Sequence, residues 1–282
     1  MRRQSAASRF FKVFFTAAVV CGVGIGGYLL FNGRPVGTTP EPNSAVITVS
    51  ATALDQESVK YFSVDGRYNE MRTGVKNILA SYIDELRATK AIRDRAKRKA
   101  ARNLVVKDIR KLFIQTIVSR VIPFWEGTNS SDALYDMSIE PGEGKISEAA
   151  FVVRVLSDAG LNLAPNERTW VEASPEAIIN KLLKGREGSI VRIDRSEISQ
   201  VDREFEFRGP GLYFVALDNK HRGFVHYDGK TKIFYHAKPG GKVVGEPVKK
   251  SDEIIYADRV VIGKISANTN LLQRWSYNNP IR

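Results

Sequence analysis

Few residues in this chain are able to do acid–base or nucleophilic chemistry. Of its 282 residues, three are His and one is Cys. His221 and His236 lie in two β-prone stretches on either side of Asp228-Gly229, and two imidazoles held together can act as a base and the group that orients it. Upstream, Ser147 and Glu148 open a helical pattern. A hydroxyl or carboxylate there becomes a nucleophile candidate if an imidazole comes within hydrogen-bond reach. The plainer role of Glu148 is that of a first-turn acid favoured by the helix dipole. The plainer role of the histidines is a structural or solvated pair. The single cysteine, Cys21, sits in an apolar N-terminal run, away from all of these groups. One cysteine excludes an intrachain disulfide framework or a cysteine-rich zinc cluster, and neither a metal nor a cofactor is expected.

The elements that must position these groups can be read from periodicity. A helix is predicted from about Ser147, with Phe151, Val152, Val155, Leu156 and Ala159 on its apolar face and a stop at Gly160. Gly211 to Leu217 reads as a buried strand. His221 to Tyr227 and Lys230 to Ala237 read as a hairpin around Asp228-Gly229, a strong two-residue turn signal. That turn sets Tyr227 opposite Lys230 and, counting back, His221 opposite His236, with Cβ atoms about 5 Å apart. His226 then points to the other face. Asp258 to Ile265 supplies a closing strand, and Asn268 to Trp275 a short terminal helix. Before this domain, Val75, Ile78, Leu79, Tyr82, Ile83 and Leu86 form one helical stripe, and Val105, Ile109, Leu112, Phe113, Thr116 and Ile117 form a second. The fold class expected is α+β, a helix packed on an antiparallel sheet and preceded by a helical arm.

Several ordered landmarks carry a family resemblance. Lys145-Ile146-Ser147-Glu148-Ala149-Ala150-Phe151 opens the helix, His221-Arg222-Gly223-Phe224-Val225 begins one strand, and Ile233-Phe234-Tyr235-His236 lies in its neighbour. Ile122-Pro123-Phe124-Trp125-Glu126-Gly127-Thr128 precedes them. Val261-Ile262-Gly263-Lys264, Asn268 and the Leu271-Leu272-Gln273-Arg274-Trp275 tail follow. Over roughly the last 165 residues this resembles a bacterial papain-like cysteine peptidase or amidase domain of the NlpC type. The resemblance implies that His221 is the base, that His236 orients it, and that Trp125, Gly127 and Thr128 serve ligand binding. It also places Glu148 where the nucleophilic cysteine would stand. Ala149 and Ala150 replace the Gly-aromatic pair that usually follows. A carboxylate is a poor nucleophile towards an amide, so the resemblance implies a catalytically degenerate domain. Ser147 is the alternative nucleophile, although one step along a helix turns a side chain by about 100°.

The formal net charge is +12, and it is concentrated in two segments. Residues 1–34 contribute about +5 and residues 87–111 about +9, leaving the rest near −2. Phe10 to Phe31 is apolar and follows Arg2, Arg3 and Arg9. It is long enough to span a bilayer, with the chain beyond it outside the cytoplasm. A cleaved signal peptide is the competing reading, but no small-x-small site closes the run. The chain therefore divides into a cytoplasmic start and membrane anchor (1–31), a Pro/Gly-rich linker and irregular segment (32–65), a basic helical arm (66–120) and the papain-like domain (121–282). The expected protein is a single-pass protein of a bacterial inner or cytoplasmic membrane with its soluble part extracytoplasmic. Its expected partners are the membrane and a cell-wall polymer or envelope protein, not nucleic acid. It acts as an envelope-binding module, with an active hydrolase or a purely structural envelope protein as the other readings. The basic run is either attracted to an anionic surface or is simply a solvated helix face.

Overall fold

The computed structural model describes residues 64–282 apart from 139, 195, 196 and 219. The expected anchor, and the expected linker up to residue 63, lie outside the described residues, and residues 64 and 65 begin a helix. Among the described residues, no helix is long and apolar enough to cross a membrane.

Two long helices come first, α1 (Val64–Lys90) and α2 (Arg95–Gln115). Asp94 caps α2 by accepting the Lys97 N–H at 2.9 Å, which ends the turn between them. The helical path continues through a π-helical stretch, Thr116–Val121, into α3 (Ile122–Trp125). A pair of short parallel strands follows, β1 (Asn129–Ser131) and β2 (Lys145–Ser147), then α4 (Glu148–Asp158). Next come α5 (Glu167–Glu172), α6 (Pro175–Leu182), β3 (Val191–Asp194) and α7 (Ile198–Arg208). The rest of the sheet is β4 (Gly211–Leu217), β5 (His221–Tyr227), β6 (Lys232–Ala237), β7 (Val243–Pro247) and β8 (Arg259–Gly263). Helix α8 (Asp252–Ile255) precedes β8, and α9 (Thr269–Ser276) closes the chain.

The six strands run in the order β3-β8-β4-β5-β6-β7, with every neighbouring pair antiparallel. Strand β4 is buried along its whole length. Side chains alternate between faces along a strand, so β4 serves two cores. Leu212, Phe214 and Ala216 join Phe151, Ile179 and Trp275 on one face, while Tyr213, Val215 and Leu217 join Val201, Phe205 and Ile254 on the other. Gly223 in β5 lets the strands lie close, because a Cβ there would meet the Tyr235 carbonyl at 2.4 Å. Helix α4 stops as expected. Gly160 takes φ +89°, and Leu161 N–H returns to the Leu156 carbonyl at 3.0 Å.

The α+β class and the antiparallel sheet agree with the sequence expectation. The division at residue 120 does not. That point falls inside a continuous helical run, and Val75, Leu79, Phe113 and Ile117 are buried in the same core as the α4 residues. Phe113 packs edge-on against Trp275, with ring centroids 4.9 Å apart. The arm is therefore a wall of the domain. Pro123 stands in the first turn of α3, where its missing N–H is tolerated.

One buried carboxylate ties these parts together. Asp158, at the end of α4 and 3% exposed, accepts the Tyr68 hydroxyl and the Trp125 Nε1–H, the latter at 3.1 Å, and lies 3.4 Å from Arg72 Nε. Asp158→Ala leaves two buried donors unsatisfied, at about 1–3 kcal/mol each. Chemical denaturation should therefore show a loss of roughly 3 kcal/mol or more, against about 1 kcal/mol for Tyr68→Phe. Equal losses in the two variants would contradict this account.

Candidate functional site

At the N-terminus of α4 a cleft of about 250 Å³ opens between the β1 and β2 ends, the start of β5 and the end of β6. Ser147, Glu148, His221 and Arg222 line it, with Asp132 and Lys220 at its rim. The sequence folds this way because Ser147 is a strong N-cap, its Oγ accepting the Ala150 N–H at 3.1 Å. The apolar face of α4 then lies on β5, where Phe151 meets Phe224 edge-on with centroids 6.5 Å apart. That packing delivers the first residue of α4 to the first residues of β5.

Glu148 and His221 are consequently brought together. Glu148 Oε2 is 2.8 Å from His221 Nδ1, and Glu148 Oε1 accepts the Arg222 backbone N–H at 2.9 Å. The hydrogen bond to Glu148 raises the His221 pKa above its ordinary value, with burial opposing it. The carboxylate thus holds the ring by Nδ1 and favours the imidazolium. The Arg222 side chain runs inward and is 6% exposed, and it donates through Nη1 to the Ala173 carbonyl at 2.8 Å. Burial pulls its pKa down to about 10, with the Glu148 charge opposing.

Ser147 lines the same cleft but is occupied. Its hydroxyl donates to the Leu134 carbonyl at 2.8 Å while accepting the Ala150 N–H. Its proton is committed to a main-chain carbonyl, so no imidazole activates it.

The hairpin register differs from the expectation. Strands β5 and β6 pair Tyr227 with Lys232 and Phe224 with Tyr235, so His221 is not directly opposite His236. The turn is two residues longer than a two-residue loop because Asp228 organises it. Asp228 Oδ1 accepts the N–H groups of Lys230 and Thr231, both at 2.7 Å, and Oδ2 accepts the Thr231 hydroxyl at 2.8 Å. A shift of two keeps the faces and moves the pair out of opposition. His236 is completely buried, stacked on Phe234 at 4.4 Å, and its Nε2 lies 3.2 Å from Glu246 Oε1. The residue that orients His221 is Glu148.

Trp125, Gly127 and Thr128 are also placed away from the cleft. Trp125 is fully buried with its indole N–H on Asp158. Thr128 is buried and its Oγ1 accepts the Gly142 N–H at 2.9 Å. Gly127 takes φ +84° and donates its N–H to the Val243 carbonyl at 2.9 Å. None of the three lines the cleft.

The residues that sequence reasoning left unassigned are Arg222, Glu246 and Glu253. Arg222 carried a usable signal, a charge alternating into the same face of β5 as Phe224. Nothing comparable marked Glu246 on the edge strand or Glu253 on α8, because their relation to His236 is tertiary. The three groups His236, Glu246 and Glu253 could surround a cation, since one ligand atom from each lies within 4.8 Å of the others. A cation on Nε2 would send the ring proton to Nδ1, and His236 Nδ1 is buried with no partner. Burial lowers the His236 pKa despite the flanking Glu253 and Glu246. A neutral ring donating Nε2–H to Glu246 accounts for the geometry without an ion.

The two histidines have opposite pH signatures. His236, depressed by burial, loses stability as pH falls below the ordinary His value of 6.5. His221, raised by Glu148, contributes stability that is complete below 6.5 and is lost as pH rises through its elevated folded value. Melting temperature followed from about pH 6 to about pH 9 should fall more steeply for the wild type than for Glu148→Gln. Parallel curves would refute the pair. Comparison with protein-family models, with curated proteins and with solved structures gave no match.

Proposed function

We propose that this chain is a membrane-anchored extracytoplasmic protein whose α+β domain is a catalytically degenerate relative of the NlpC-type papain-like peptidases, retaining its cleft to bind a cell-envelope component. The N-terminal apolar run with its basic start motivates the anchor. The observation that carries the degenerate-cleft reading is the double engagement of Glu148. It stands at the helix N-terminus where a thiolate would be stabilised. Both of its oxygens already accept, one from His221 and one from the Arg222 N–H. An acyl carbon approaching this point meets a satisfied carboxylate in place of a nucleophile.

The hydrolase alternatives are weaker for specific reasons. Ser147 has its proton on the Leu134 carbonyl. Glu148 as a base would need its partner, an imidazole with an elevated pKa, to release the charge that holds the pair together. The polar walls, with His221, Lys220 and Asp132 around a cavity of about 250 Å³, suit recognition of a polar envelope polymer or peptide.

The native full-length chain should show no peptidase or amidase turnover on cell-wall peptides. Glu148→Cys should give a thiol that reacts faster with an alkylating agent than free cysteine does, and adding His221→Ala should remove that gain. Native turnover that survives Ser147→Ala and disappears in Glu148→Gln would overturn the proposal. For binding, the full chain should co-sediment with purified peptidoglycan, and Lys220→Glu should weaken that association several-fold. Absence of co-sedimentation would exclude peptidoglycan as the ligand.

A further inference from the structure

A second cavity shares no lining residue with the cleft. It is a groove of about 1120 Å³ between α2, the end of α1 and α9. Eight of its lining residues are Lys or Arg, and none is Asp or Glu. Arg95, Arg98, Arg102, Lys107 and Arg110 come from one side of α2, and Arg274 faces them from α9. Lys90 and Lys99 complete the set. Among the described residues, none of the eight lies within ion-pair distance of a carboxylate, although the same protein pairs Arg72, Arg154, Arg192 and Arg208 with acids. Arg110 Nε is enclosed without any hydrogen-bond partner. A solvated helix face would spread its charges outward. Here cations from three helices converge on one concavity, with no carboxylate among its lining residues.

We propose that this groove binds an extended phosphate polymer lacking nucleobases. The length of the cationic row decides against a single phosphate, because Arg95 to Arg110 spans about 22 Å along a helix. Concavity decides against a flat bilayer surface, which could not reach the α2 and α9 walls together. Five of the eight cations are arginines, whose planar forks bind phosphate oxygens in pairs. Asn103, Asn270 and Gln273 supply neutral donors between the charges. The groove offers a single aromatic ring, Tyr277. Recognition of single-stranded nucleic acid depends on a series of such rings for stacking.

Linear polyphosphate is the probe, titrated into the detergent-solubilised full chain and followed by fluorescence anisotropy. It should bind at least ten-fold more tightly than inorganic phosphate. Its affinity should fall steeply with salt as released counterions re-enter the equilibrium. Arg98→Gln with Arg102→Gln should weaken binding about ten-fold and flatten the salt slope by roughly 1 to 2. Lys97→Gln, on the same helix but outside the groove, should change little, and Glu148→Gln in the cleft should change nothing. The native-chain comparison with inorganic phosphate and the salt slope stand even if a variant fails to fold. Equal affinity for phosphate and polyphosphate would overturn the proposal, as would an equal effect of Lys97→Gln. Tighter binding of an equally charged single-stranded oligonucleotide would assign the groove to nucleic acid. Binding of phosphatidylglycerol vesicles that polyphosphate fails to displace would assign it to the membrane.

Discussion

The position of Glu148 in the cleft depends on the far end of its helix. Asp158 closes α4 inside the core, where Tyr68 from α1 and Trp125 from α3 both donate to it and Arg72 lies beside it. Burial raises its pKa, and the hydrogen bonds and nearby arginines work against that rise. A charged or half-charged carboxylate in such a place is tolerated only because its acceptor capacity is used. The anchoring fixes α4 along its axis and in rotation, so its first residue, Glu148, meets β5 at His221 and Arg222. Tyr68 and Trp125 are buried and do not line the cleft, yet they help set where its carboxylate can be.

Local patterns in the sequence were legible where one element decides the outcome. The cap at Ser147, the stop at Gly160, strand β4 and the buried stripes of α1 and α2 follow from caps, periodicity and glycine conformation. The register of the β5–β6 hairpin was not legible, because Asp-Gly suits both a two-residue turn and a longer loop. The choice was made by the Asp228 side chain gathering the N–H groups of Lys230 and Thr231. The Glu148–His221 contact was legible only through the family resemblance, since no spacing rule joins a helix start to a strand so distant in the chain. Asp158 and Trp125 were individually visible as a helix residue and an aromatic before a loop, but their hydrogen bond is a product of packing.

The cleft and the basic groove solve different electrostatic problems. In the cleft, opposite charges meet. Glu148 faces His221 and Arg222, and the helix N-terminus adds a favourable partial charge. Its field is largely internal. The groove has no such closure. Its charges are all of one sign and line a concavity open to solvent, where they act over about 10 Å at moderate salt. A single domain thus presents one concavity lined by both signs of charge and one lined by positive charge alone. They share no lining residue.

The integration of α1 into the core also has a mechanical meaning. A pull applied at Val64 along the chain reaches Tyr68 within a single turn of helix. Tyr68 is 2% exposed, bonded to Asp158 and set edge-on against Trp125 with ring centroids 6.2 Å apart. Tension entering there meets the buried side chains of α1, Val75, Leu79 and Leu86, before it reaches any strand of the sheet. The first bond to bear that tension is the one that seats α4, so strain on the leading end of the domain and the seating of Glu148 share a single mechanical link.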